Sequence, residues 1–235
     1  MTDGSTFASV YTSPVPRSKR QGPLNPQRIA EEALAMIDKQ GLETFSSRRL
    51  GARLNVEGMA LYKHYPSMDA LLDAVAELLI LEVQVPAPQP GGWQARVRQF
   101  ARDYRQLAYR HPKSYSLLAT RRFTRPKSLG VLDAVMGALF EEGFDHPTAV
   151  ELFRALNHYC NGACLDELAG LADAARKKKK PEDGAEPPVQ LPNLGRVAVL
   201  LGPDHFEHNF EAGLDALILG FERRRAASAT NHPHG

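Results

Sequence analysis

The chain has 235 residues, of which 43% are hydrophobic and 24% charged, the balance of a globular protein able to bury its own core without a disulfide or metal staple. No stretch approaches 18 uncharged apolar residues. The longest candidate, Leu71 to Val85, is interrupted by Asp73, Glu77 and Glu82, which excludes a membrane-spanning helix. Net charge is +2, but residues 17–64 carry nine Lys/Arg against five acids, so +4 sits in the first quarter and −2 in the rest. That asymmetry is expected where the N-terminal part meets a polyanion.

Residues 1–24 are rich in Ser, Thr, Pro and Gly and lack periodicity, which predicts a disordered basic arm containing Arg17, Lys19 and Arg20. No apolar run follows those basic residues, so the arm does not read as a secretory signal. From Asn25 the pattern turns helical. Asn25 is a suitable N-cap, Pro26 suits the first helical position, and Ile29, Ala33, Met36 and Ile37 recur at helical spacing until Gly41. A second short helix is expected after Ser46 or Ser47, with Leu50 and Leu54 facing inward. Asn55-Val56-Glu57 is then a tight turn, and a third short helix runs from about Gly58 to His64. Pro66 ends it, and Ser67 caps the next helix, which carries Leu71, Leu72, Val75, Leu78 and Leu79.

The segment Val85-Pro86-Ala87-Pro88-Gln89-Pro90-Gly91-Gly92 breaks the pattern and marks a domain boundary. Amphipathic helices follow: about Trp93 to Arg110, from near Pro126 to Gly143, from Asp145 and Pro147 through Leu168, and from Pro203 through Phe221. The Arg176–Lys180 run and the Pro/Glu/Gly-rich stretch after it predict a mobile loop over 173–195. No strand-like alternation persists, so the fold class is all-α. The expected organisation is an arm over 1–24, a three-helix helix-turn-helix DNA-binding domain over 25–85, a larger helical effector-binding and dimerisation domain over 92–225, and a disordered tail over 226–235.

The informative unit is Ser46 to Leu72. A helix-turn-helix needs two short helices at a steep angle, each burying an apolar residue against a third. Leu50, Leu54, Val56 and Leu61 supply that buried set. The short segment from Gly58 is then free to enter the major groove, which admits one helix. The same pattern also fits a small helical bundle with an exposed basic face.

The block Arg48-Arg49-Leu50-Gly51-Ala52-Arg53-Leu54-Asn55-Val56, followed by Ala60-Leu61-Tyr62-Lys63-His64-Tyr65-Pro66-Ser67-Met68-Asp69-Ala70-Leu71-Leu72, resembles the signature of the tetracycline-repressor (TetR) family over roughly residues 26–75. Weaker likeness continues beyond Trp93. Phe123-Thr124-Arg125-Pro126, Asn157-His158-Tyr159 with Gly162, and the polar loop before the last helix resemble the regulatory domain of the repressor that gave the family its name. The resemblance implies a ligand-responsive transcriptional regulator that binds an operator in double-stranded DNA as a homodimer, releases it when a small-molecule effector binds, and acts in the cytoplasm.

It also implies residue roles. Ser47 and Arg48 fall at DNA-touching positions of the second helix. Gly58, Met59 and Ala60 form the base-facing first turn of the recognition helix, where Met59 and Ala60 make only apolar contacts, for example to thymine methyls. Tyr62 and His64 match backbone-holding positions, with Lys63 beside them. Three departures stand out. Met68 occupies a place usually held by Lys, Asn55 replaces the usual turn glycine, and Glu57 brings negative charge near the DNA. The arm at Arg17, Lys19 and Arg20 can compensate from the minor groove.

For the effector pocket, the resemblance points to the helices of 93–170 and, within them, to Phe100, Tyr104, Arg121, Thr124, Arg125, Asn157, His158 and Asn161. Arg121 stands where the family's namesake has a magnesium-holding His, which argues against magnesium–tetracycline and for an anionic or aromatic ligand paired with Arg121 or Arg125. Small residues at Gly162, Ala163, Ala212, Gly213, Ala216 and Gly220 suggest a four-helix dimer interface from helices near 147–170 and 203–224.

No cofactor or metal is expected. His205 and His208 lack a third ligand nearby, and Cys160 and Cys164, four apart on an apolar helix, read as core residues in a reducing cytoplasm. G-x-S-x-G, P-loop and G-x-G-x-x-G motifs are missing, so no catalytic residue is nominated. The alternative from another class is an all-α enzyme or protein-interaction module whose basic N-terminus is incidental.

Overall fold

The computed structural model describes residues 23–121, 125–179 and 191–230. The arm with Arg17, Lys19 and Arg20, the effector candidate Thr124, and residues 180–190 and 231–235 lie outside the described residues. Nine α-helices and no strand occur among the described residues, as the all-α expectation requires.

Local chemistry sets the N-terminal elements. Helix α1 spans Pro26–Gln40; the Asn25 side chain accepts from the Arg28 amide at 2.9 Å, and Gly41, at φ 89°, closes the helix. Helix α2, Ser47–Leu54, is capped by Ser46 through the Arg49 amide. It ends at Asn55, whose φ of 58° is left-handed, so the side chain that tolerates this conformation stands where the turn needs it. Gly58–Lys63 is a 3₁₀ helix rather than an α-helix. Helix α3, Met68–Ile80, follows Ser67, whose Oγ accepts from the Ala70 amide at 3.0 Å. Ile29, Ala33, Ile37, Leu50, Leu61, Leu71 and Val75 are sealed from solvent. Arg53 pairs with the buried Glu32, and the Tyr65 hydroxyl donates to the Pro26 carbonyl at 2.8 Å.

The chain divides into two compact units, one ending at Val75 and the other starting at Ala76. The division therefore falls inside α3, ahead of the Pro-rich segment at 85–92. The reason lies in the bonds made by the residues after Val75. Glu82 accepts from Arg110 and pairs with His111, and the Arg96 guanidinium donates to the Pro86 carbonyl at 3.0 Å. These tie residues 77–86 to the second unit.

In the second unit, α4 (Gly92–Arg110) packs against α7 (His146–Lys179) and α9 (Phe206–Thr230), with α6 (Pro126–Glu141) against α7. Trp93 meets Phe144 edge-on at 5.1 Å. Arg105 of α4, Glu167 of α7 and Glu207 of α9 form a mostly buried ion-pair cluster, with the Arg105–Glu167 bond at 2.8 Å.

Three expectations are corrected here. A short helix α5, Tyr115–Thr120, lies where none was expected. The expected loop at 173–195 instead begins as helix, because α7 runs on to Lys179. Ala174, Ala175 and Arg176 favour helix, and Arg176 pairs with Asp173 one turn back at 2.6 Å. Residues 192–201 form α8 (Pro192–Val197) and a 3₁₀ turn, Ala198–Leu201. The expected tail begins later than 226, since α9 reaches Thr230.

On the α4–α9 seam, Arg102 Nε and Nη2 donate to the two carboxylate oxygens of Glu211, at 2.7 and 2.8 Å. The Arg102 hydrogen bond holds the Glu211 carboxyl below its ordinary value against an opposing burial effect. A depressed acid stabilises the fold above its unfolded pKa and loses that contribution as pH falls through the folded value. Glu211→Gln should therefore cost up to about 1 kcal/mol at pH 7, the scale of a partly exposed pair. The gap from the unmodified chain should close below the usual carboxylate range, as checked by urea denaturation at pH 7 and pH 3.5.

Candidate DNA-binding surface and ligand cavity

Two glycines let α2 and the 3₁₀ helix meet. A Cβ on Gly51 would lie 2.8 Å from both the Gly58 nitrogen and the Val56 carbonyl oxygen. One on Gly58 would lie 3.2 Å from the Ser47 carbonyl group and 3.3 Å from the Arg48 nitrogen. The start of α2 and the start of the 3₁₀ helix are thus backbone neighbours, which brings the candidates Ser47, Arg48 and Gly58 onto one surface.

Beside them Met59 is 72% exposed and Tyr62 38%, whereas Leu61 between them is buried. Arg48 and Lys63 are exposed; Ser47, Ala60 and His64 are half-buried. The three arginines of α2 divide by role. Arg49 donates to the Thr44 carbonyl and Gln40, and Arg53 binds Glu32. Arg48 forms no ion pair among the described residues, nor does Lys63. Both are exposed, and both stand at positions that the sequence assigns to DNA contact.

A cavity opens in the second unit, with about 430 Å³ of empty space including its mouth. Its walls are Ile80 of α3, Phe100 and Tyr104 of α4, Val131, Leu132 and Val135 of α6, and Phe153, Leu156, Asn157 and Cys160 of α7. An adjoining hollow shares Phe100, Val135, Phe153 and Leu156 and runs toward Trp93, Val97 and the buried Arg96.

Of the effector candidates, Phe100, Tyr104 and Asn157 line the cavity. Asn161 lies one turn beyond Asn157, and its Oδ1 accepts from the Tyr104 hydroxyl at 3.0 Å and the Tyr115 hydroxyl at 2.9 Å. Burial pushes both phenols up, so they stay protonated at neutral pH.

Arg121, Arg125 and His158 are not among the lining residues. His158 is exposed on α7. The Arg125 Nε donates to Glu77 at 2.9 Å, and Glu77 also accepts from the Ser128 amide at the start of α6. Arg125 is thus engaged in a clip on a helix end, and of the two arginines expected to pair with an anionic or aromatic ligand neither is among the described lining residues. Missing from the sequence-based set were the aliphatic walls Ile80, Val131, Leu132, Val135, Phe153 and Leu156. Their periodicity was visible as an apolar face, but a cavity wall and a packed core share that pattern.

Among the dimer candidates, a Cβ on Gly213 would strike the Tyr159 ring, so that glycine packs within its own chain. Gly162 and Gly220 face open space, and Ala212 and Ala216 are exposed. Burial pushes the Cys160 thiol up and brings Cys164 to about 11, so neither is a thiolate at neutral pH. No group of three or more metal-ligating side chains occurs among the described residues, and no helix there is long and apolar enough to cross a membrane.

Residues 29–75 match the TetR family of bacterial regulatory proteins, and residues 85–225 match the tetracyclin repressor-like C-terminal domain. The chain belongs to the TetR family. It is similar to the tetracycline repressor protein class G of Vibrio anguillarum, at 30% identity over 201 residues, 85% of this chain and 94% of that one. Among solved structures it resembles the TetR family protein ActR of Streptomyces coelicolor in complex with (S)-DNPA, with a TM-score of 0.68, 27% identity, and 85% and 98% of the two chains covered. It likewise resembles a TetR variant of Acinetobacter baumannii AYE in complex with minocycline, with a TM-score of 0.67, 27% identity, and 86% and 99% covered. In this TetR-family chain, residues 29–75 span α1, α2, the 3₁₀ helix and the first half of α3.

Proposed function

We propose that this TetR-family chain is a ligand-responsive transcriptional repressor. Two copies would bind a pseudo-palindromic operator in the cytoplasm, and a small molecule in the α4–α6–α7 cavity would release them. The observation that carries the DNA half is the surface of exposed Met59, Tyr62, Lys63 and Arg48 around a backbone crossing where a Cβ on Gly51 would strike backbone. In this reading Met59 and Ala60 touch thymine methyls, while Arg48, Tyr62, Lys63 and His64 hold phosphates or base edges. The two 3₁₀ helices of a dimer would sit about 34–36 Å apart or a multiple of that.

The dimer would form through α7 and α9. Supporting this are the outward-facing small residues Gly162, Ala212, Ala216 and Gly220 and the exposed Val150, Leu165 and Leu219 on the same two helices. Release follows from population shift, the effector favouring a conformer whose helix spacing does not match the duplex. Helix α3 is the covalent route. Its last residue, Ile80, lines the cavity and its Glu77 clips α6, while its first half carries the buried Leu71 and Val75.

The test begins with selection of a binding site from random duplex DNA, followed by affinity measurements from 50 to 200 mM salt. With several phosphates neutralised by each dimer, affinity should fall about a thousandfold or more. Tyr62→Ala combined with Lys63→Ala should remove binding while folding and dimerisation persist. Affinity that is flat with salt, or unchanged in the double variant, would overturn the reading.

A further inference from the structure

A chain of hydrogen bonds runs from two buried phenols to a carboxamide of the cavity wall. Tyr104 and Tyr115 each have a hydroxyl proton, and both donate to Asn161 Oδ1, at 3.0 and 2.9 Å. A carboxamide oxygen has two lone pairs, so these bonds use both and turn the Asn161 amide nitrogen the other way. That nitrogen donates to Asn157 Oδ1 at 3.2 Å, one turn back along α7. The Asn157 oxygen is therefore engaged by a donor. Its Nδ2 retains two protons that no described residue accepts. That nitrogen is not sealed in protein either, since Asn157 is only partly buried and its Nδ2 is not among the sealed side-chain atoms without a hydrogen bond. Asn157 lines the cavity.

The surroundings restrict what such a donor can meet. Val131, Leu132, Phe153, Leu156 and Phe100 provide aliphatic and aromatic walls. The nearest candidate cation by sequence, Arg125, is engaged with Glu77. The described lining residues are all uncharged, so among them a full negative charge would find no cation, whereas a neutral acceptor on an apolar body would lose little on leaving water.

We infer that Asn157 is the polar selector of this site, a donor locked by the Tyr104–Tyr115–Asn161 relay that takes a flat apolar ligand bearing a hydrogen-bond acceptor, such as an aromatic carbonyl. The inference rests on the cavity being the effector site. Asn161 does not touch the ligand; it is a positioning residue, acting through Asn157.

The experiment uses the full-length chain and two probes of equal shape, 2-acetylnaphthalene, which carries an acceptor, and 2-isopropylnaphthalene, which carries none. Equilibrium dialysis should show the ketone binding about three- to tenfold more tightly, the scale of one net hydrogen bond. In Asn157→Leu the ratio should fall to about one, with the hydrocarbon bound no more weakly. In Asn161→Asp both phenol donors are kept, but an acceptor now faces Asn157. That turns the Asn157 oxygen toward the cavity and takes the ratio to one or below.

If the unmodified chain binds neither probe, the cavity reading fails and takes this inference with it. If it binds both equally, the cavity stands and the selector is refuted. A ketone preference that survives Asn157→Leu refutes it as well, and one that survives Asn161→Asp refutes the relay. The unmodified chain alone decides the first two outcomes, so a variant that misfolds does not rescue the inference.

Discussion

Gly51→Ala should cost at least tenfold in operator affinity, although it adds a single methyl group far in chemistry from any DNA contact. The added carbon would sit 2.8 Å from the Gly58 nitrogen and the Val56 oxygen and 3.0 Å from the Gly58 Cα, all of them backbone. No side chain can rotate away to relieve that clash. The 3₁₀ helix must shift off α2, at a cost of about 1–3 kcal/mol, typical of overpacking a tight contact. The shift moves Met59, Tyr62 and Lys63 relative to Arg48, and misregistered contacts lose most of their value. Gly130→Ala in α6 is the control. Nothing lies within 4 Å of its Cβ position, so ordinary helix propensity applies and stability should rise by about 0.5–1 kcal/mol. Electrophoretic mobility shift and thermal melting of the two variants check both directions. Unchanged operator affinity in Gly51→Ala would mean that the α2 crossing does not position the contact surface.

Arg105→Met should be the most destabilising change outside the DNA-binding unit. Arg105 is 5% exposed and Glu167 is 5% exposed, joined at 2.8 Å, with the Tyr109 hydroxyl donating to the same carboxylate oxygen at 2.7 Å. The guanidinium also lies over the Phe210 ring at 5.0 Å and over Tyr109 at 5.1 Å. Removing the cation leaves a buried carboxylate with one phenol as partner, and breaking such a pair costs about 3–5 kcal/mol. Replacing both members by similar apolar volume removes the stranded charge, so Arg105→Met with Glu167→Met should recover most of that loss. Urea denaturation midpoints of the single and double variants make the comparison. A double variant no more stable than the single one would show that packing around Arg105, not its charge, stabilises the α4–α7–α9 core.

Legibility from the sequence followed the range of the chemistry involved. The caps at Asn25, Ser46 and Ser67 and the left-handed turn at Asn55 are made within three residues, and each was readable, Ser46 as one of two candidates with Ser47. The exposed surface around Met59 and Tyr62 was readable because the helix-turn-helix is a local motif whose buried Leu50, Leu54 and Leu61 alternate with its exposed residues at short spacing. Helix α5 was missed because six residues cannot display a helical period and Ser114 makes no side-chain cap bond. The 3₁₀ form of Gly58–Lys63 has the same exposed positions as an α-helix over so short a span. The cavity was only half legible. Tyr104 and Asn161 are 57 residues apart, Tyr115 and Asn161 are 46 apart, and Arg125 reaches back 48 to Glu77. No spacing rule joins such partners, so Asn157 and Arg125 looked equally suited to a ligand until their hydrogen bonds separated them.

Methylation interference on the selected operator addresses the groove directly. Methyl groups placed on guanine N7 obstruct the major groove, and those on adenine N3 obstruct the minor groove. Binding should be blocked by N7 methylation in two patches about one helical turn or a multiple apart, and those two patches should lose their sensitivity selectively when Tyr62 and Lys63 are both alanine. Interference confined to adenine N3, or N7 methylation tolerated across the whole site, would contradict entry of the Gly58–Lys63 segment into the major groove.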